Sequence, residues 1–103
     1  MKKYKKEMYK QYKQAEYFGL ENRMLQCTEE CGELLQALSK YQRVSKGDKT
    51  CSLNSYESLN MVLEEIADVE ITLTQLKYLL CKTEEVENIK VKKIERTEQR
   101  LGE

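Results

Sequence analysis

The chain has 103 residues, with eighteen basic and eighteen acidic side chains, four cysteines, no proline and no histidine. That length suits a single domain spanning residues 1–103 with a modest core, and zero net charge removes the basic field a general nucleic-acid binder needs. The lack of histidine removes every Ser-His-Asp triad, Cys-His pair and histidine-ligated metal, so any catalysis must rest on carboxylates, lysines, tyrosines or an ion.

Helix formers such as Glu, Lys, Leu and Gln dominate, which makes all-α the expected fold class. A first helix is predicted from about Lys3 to Phe18, with Tyr4, Met8, Tyr12 and Ala15 on one face. The basic run Met1–Lys6 reads as its solvated start rather than a docking arm. Gly19 breaks it. A second helix, Leu20 to Val44, carries the stripe Met24, Cys27, Cys31, Leu34, Leu35, Leu38 and Tyr41. Ser45 to Asn54 is a polar loop, and Asn54 with Glu57 is a capping signal for the third helix, Ser55 to Cys81. There Leu59, Val62, Ile66, Val69, Leu73, Leu76 and Leu80 follow the 3-4 spacing of a coiled coil. Thr83 with Glu84 and Glu85 reads as a cap and acidic first turn of a fourth, thinly apolar helix.

The stripes of the second and third helices are longer than one small bundle covers, so a homodimer or homotetramer is expected. No run is apolar enough to span a bilayer and no export signal is evident, so the expectation is a cytoplasmic chain with no membrane partner. Cys27, Cys31, Cys51 and Cys81 then read as reduced core thiols, their spacing matching no familiar zinc module.

The most informative feature is a pair of acidic pairs, Glu30-x-x-Glu33 and Glu65-x-x-Asp68. An i, i+3 spacing puts two carboxylates on one side of a helix. On a helical wheel Glu30 falls roughly 70° from the centre of its stripe and Glu65 roughly 65° from its own, with Glu33 and Asp68 further round in the same sense. Two helices packed antiparallel through their stripes would bring such pairs to the same side of the groove. Converging carboxylates repel one another unless a cation compensates them, and oxygen donors of this kind suit Mg2+ or Mn2+. The bland reading is an exposed acidic edge on a charge-rich protein. Gly32, between the candidate ligands, is either a tolerated glycine or a place of close backbone or substrate approach.

The segment Glu29-Glu30-Cys31-Gly32-Glu33-Leu34, followed by Glu65-Ile66-Ala67-Asp68-Val69, resembles the E-E-x-x-E … E-x-x-D signature of the MazG-like all-α nucleoside triphosphate pyrophosphohydrolases. The likeness runs from about Phe18 to Leu80; thirty-one residues separate Glu33 from Glu65, slightly more than the family's usual spacer. The resemblance implies a four-helix MazG-like bundle that splits nucleoside triphosphates between the α- and β-phosphates, with Mg2+ held by Glu30, Glu33, Glu65 and Asp68. Glu29 would orient or deprotonate the attacking water. Lys40 and Arg43, and more remotely Lys93, Arg96 and Arg100 of the last helix, are the cationic candidates for phosphate; Phe18, Tyr17 and Tyr12 are the aromatic candidates for the base. The competing readings are a helical interaction module without turnover and a nucleotide-binding regulator.

Overall fold

The computed structural model describes residues 2–102, and every regular element among them is a helix. These are α1 (Lys2–Phe18), α2 (Leu20–Ser45), α3 (Ser55–Leu79) and α4 (Thr83–Gly102). Met1, the first residue of the basic run, lies outside the described residues, and the side chains from Lys3 to Lys6 are exposed on α1. The boundaries fall close to expectation because local chemistry sets each of them. Gly19 parts α1 from α2 at φ 86° and ψ 163°, a region open to glycine alone. A Cβ there would meet nothing within 4 Å, so the obstacle to substitution is the dihedral and not crowding. Gly19→Ala is expected to destabilise the fold by about 1–3 kcal/mol, read from the urea midpoint; an unchanged midpoint would mean that the joint relaxes freely.

Two left-handed residues close the long helices. Gly47, at φ 80°, ends α2 with its N–H on the Val44 carbonyl while the Asp48 N–H bonds to that of Arg43. Cys81, at φ 57°, ends α3 in the same way, with the Lys82 N–H on the Lys77 carbonyl. Asn54 caps α3 reciprocally: its side chain accepts the Glu57 N–H at 2.8 Å, and the Glu57 carboxylate accepts the Asn54 N–H at 3.3 Å. Thr83 differs from expectation. It is already helical, and the Val86 N–H reaches the Lys82 carbonyl, which puts Lys82 in the capping position.

α2 and α3 form an antiparallel hairpin, α1 lies against both, and α4 approaches α3 alone. The hairpin seam runs through Cys27, Glu30, Leu34 and Ala37 on α2 and through Ser58, Val62, Glu65, Val69 and Thr72 on α3. This corrects the expected phase. The bulkiest apolar residues do not meet in the seam; it is turned toward Glu30 and Glu65, leaving Leu35, Leu59, Ile66 and Leu73 outside. Small side chains supply the reason, since Ala37, Ser58 and Thr72 allow closer helix approach than a facing row of leucines.

At the other end of the hairpin Gln75 is only 1% exposed. Its Nε2 donates to the Gln11 carbonyl of α1 and its Oε1 accepts from Arg23 Nη1 of α2, both at 3.0 Å. Tyr12 stacks on Tyr78 beside it with ring centroids 4.0 Å apart, and Tyr78 Oη donates to Glu16. The apolar core is small: Ala15, Cys27, Ala37, Val62 and Val69. The radius of gyration is 17.2 Å, against about 13 Å for a compact domain of this length. Of the thiols, Cys27 alone is buried, Cys51 is half-buried and Cys31 and Cys81 are exposed, so the expectation of four core cysteines is corrected to one. No helix is long and apolar enough to cross a membrane among the described residues.

Candidate metal centre

Glu30 and Glu65 face each other across the seam because each sits at a contact position of the 3-4 repeat. Together with Glu33 they place one carboxylate oxygen each within 4.8 Å of one another. Glu30 Oε2 and Glu65 Oε2 are fully buried and take no hydrogen bond from any other group of the described residues; a proton on Glu65 would be shared between these two carboxyls. Buried polar atoms are almost always partnered, and two adjacent orphans on like-charged groups are a costly arrangement for a fold to keep. Glu30 Oε1 is satisfied by Gln26 Nε2 at 2.7 Å. This donor aims the carboxylate from one helical turn away, and sequence reasoning passed over it, although the i, i+4 Gln–Glu spacing marks it.

The electrostatics follow. Burial first, then hydrogen bonding to Glu30 and the charges of Glu33, Glu30 and Asp68, push the Glu65 carboxyl up to about 7. Asp68 stands outside the triplet but next to Glu30; burial and that neighbour's charge raise its pKa as well. Two buried acidic oxygens without another donor, beside a Glu65 whose carboxyl is pushed up, are the donor set a hard divalent cation would complete. The residues present fit such an ion.

Glu29 is exposed on α2, and Gly32 has no neighbour where its Cβ would stand, so no protein backbone makes a close approach there. Lys40 and Arg43 come together in a cavity of about 310 Å³ with Thr50, Cys51, Ser52, Leu53 and Met61. Lys40 lies seven residues beyond Glu33 on the same face of α2, roughly 10 Å along the axis. Arg43 is partly committed: its Nε donates to Asp48 at 2.9 Å and its Nη2 to Thr50 at 3.0 Å. Donors from Thr50 and Arg43 hold the Asp48 carboxyl down at about 2. Phe18 packs under the Arg23 guanidinium, 4.2 Å from the ring centre, and borders an open depression of about 640 Å³ that Glu21 lines but Glu30, Glu33, Glu65 and Asp68 do not. Lys93 and Arg96 are exposed on α4, which leans on the Leu73–Leu80 side of α3; the helical repeat turns that side away from Asp68. One chain therefore gathers Glu30, Glu33 and Glu65, sets Asp68 beside Glu30 and joins Lys40 to Arg43, while Glu29, Phe18, Lys93 and Arg96 stand apart from the triplet.

Compared with known protein families, characterised proteins and solved structures, the chain matches none.

Proposed function

We propose that this protein is a Mg2+-dependent hydrolase that splits nucleoside triphosphates into the monophosphate and pyrophosphate. The observation that carries this reading is the carboxylate triplet with its two buried, unpartnered oxygens. The four-position acidic signature adds the reaction class by resemblance. Glu30, Glu33, Glu65 and Asp68 hold the ion, with Mn2+ as a substitute; Gln26 fixes the orientation of Glu30. When bound, the ion supplies a Lewis acid for phosphate oxygens and lowers the pKa of water. Lys40, on the same side of the hairpin, takes up phosphate charge, and Arg43 follows where its hold on the loop allows. Glu29, exposed on α2 and without a hydrogen-bond partner among the described residues, orients or deprotonates the attacking water.

Incubation with a panel of nucleoside triphosphates and Mg2+ is expected to release pyrophosphate, and excess EDTA to stop it. Orthophosphate in its place would overturn the bond assignment while sparing the ion. A second reading, an interaction module without turnover, draws on the exposed apolar rows of α2 and α3. A silent panel with a protein partner bound tightly would favour it.

A further inference from the structure

Sulfur is distributed unevenly on α2. At about 100° per residue, Met24, Cys27 and Cys31 fall within an arc of roughly 60°, a thioether and two thiols at i, i+3 and i+7. Helical side chains lean back toward the N-terminus, so neighbours three and four residues apart meet. The thiols do so, Cys27 being the side-chain hydrogen-bond partner of Cys31. Glu30 and Glu33 lie about 60–120° beyond Cys27 on the same helix, turned into the triplet with Glu65. α2 thus sorts its donors by kind, oxygen on one arc and sulfur on another.

Cys27 is 8% exposed and forms the floor of the sulfur arc, while Cys31 and Met24 stand open to solvent above it. α4 touches α3 alone, and Met24 borders the open depression beside Phe18, so an ion can reach the arc. The helix works against a disulfide here, because Cβ atoms at i and i+4 are about 5–6 Å apart and the bond needs about 3.5–4.5 Å. The pair stays a dithiol, spaced to flank an atom instead of joining. Two metal–sulfur bonds of about 2.3 Å span up to about 4.6 Å, a separation that thiols one helical turn apart can adopt. Among the described residues no third cysteine or carboxylate joins the pair. The set therefore falls short of the four ligands of a structural zinc site, and thiol with thioether sulfur selects a softer ion.

We propose that Met24, Cys27 and Cys31 form a binding site for Cu(I), with the two thiolates flanking the ion and the Met24 sulfur closing on it from a third side. Binding breaks two S–H bonds and forms two Cu–S bonds, and both protons pass to solvent. Copper enters and remains as Cu(I), so no electron is transferred and no oxidant is needed. The ion with its two thiolates carries one negative charge, which the open side of the arc leaves in contact with water. None of the carboxylates takes part, so the site stands or falls independently of the hydrolase reading.

The test titrates the reduced full-length chain, without oxygen, into Cu(I) held by the coloured chelator bicinchoninate. A protein carrying Cys51→Ser and Cys81→Ser, which removes the other two thiols, is expected to withdraw one Cu(I) per chain and to show a sulfur-to-copper charge-transfer absorption. In that background Cys31→Ala and Cys27→Ser are each expected to weaken the ion's hold by more than about 100-fold, beyond the cost of losing an outer contact. Met24→Leu should weaken it by roughly 10-fold. Cys31→Ala alters an exposed position, so its helical circular dichroism should match the parent. Excess Mg2+ should leave the bound Cu(I) in place. Failure of the parent chain to withdraw Cu(I) would overturn the proposal. So would uptake that survives Cys31→Ala, uptake that disappears with Cys51 and Cys81, or one ion shared by two chains.

Discussion

Glu65→Gln is expected to abolish turnover and, in the same protein, to raise the melting temperature of the metal-free fold at about pH 8. The two effects share one cause. Glu65 carries a carboxyl pushed up to about 7 from an ordinary value of 4.5 by burial and by Glu30, Glu33 and Asp68. A group that binds its proton more tightly in the folded state stabilises that state below its unfolded pKa, and the contribution is lost as pH rises through the folded one. The metal-free parent should therefore weaken between about pH 4.5 and pH 7, while the glutamine variant, with no charge to develop, should lose less. Added Mg2+ should restore the parent at about pH 8 and do little for the variant. Turnover should fall roughly 10²–10³-fold or more, the loss of several kcal/mol of charge stabilisation. Thermal melts at two pH values with and without Mg2+, beside a pyrophosphate assay, read all of this. A variant that melts below the parent at about pH 8 without metal would mean that Glu65 is a structural acid. Persisting turnover would reject the site.

The second large effect is expected at Gln75. Gln75→Ala removes the amide that ties α3 to the α1 backbone and to Arg23 of α2. The loss combines a cavity at a closed site with an Arg23 Nη1 left without its acceptor, while Nε and Nη2 keep theirs on Asn22, about 2–4 kcal/mol in all. For a chain of this size that lowers the melting temperature by roughly 10–25 °C. Urea unfolding should show a lower midpoint at an unchanged slope. A loss below about 1 kcal/mol would show that Tyr12–Tyr78 stacking alone holds α1 in place.

These two residues also mark where the sequence could be read and where it could not. Gly19, the Asn54–Glu57 cap and the acidic start of α4 act within a few residues of chain, so helix number and ends were legible from neighbours alone. The acidic pairs were legible because i, i+3 spacing fixes a shared face whatever the tertiary structure does. The rotation of each helix was not. The expected stripe of Leu59, Val62, Ile66, Val69, Leu73, Leu76 and Leu80 was right at Val62 and Val69, but its centre lay too far toward Leu59, Ile66 and Leu73, whereas contact also takes in Ser58, Glu65 and Thr72. Hydrophobic patterning reports every face that avoids water, and it does not distinguish a contact within the chain from an apolar side left for another. Gln75 was hidden for the opposite reason: a polar side chain in a leucine-rich run gives no sign of closure, because its partners come from helices 52 and 64 residues away in sequence. Arg43 was placed by its charge, while the Asp48-x-Thr50 turn that engages it went unread.

The fourth helix carries a consequence of its own. It has no buried residue, touches α3 alone and is joined through the left-handed Cys81 and one ion pair to Lys77. A lone helix of twenty residues is marginal in water because each lost turn forfeits little. Its amides are therefore expected to exchange with solvent by local opening from the C-terminal end, ahead of the remainder. Hydrogen exchange should then show two tiers of cooperativity, a three-helix body that opens as a unit and an appendage that opens on its own.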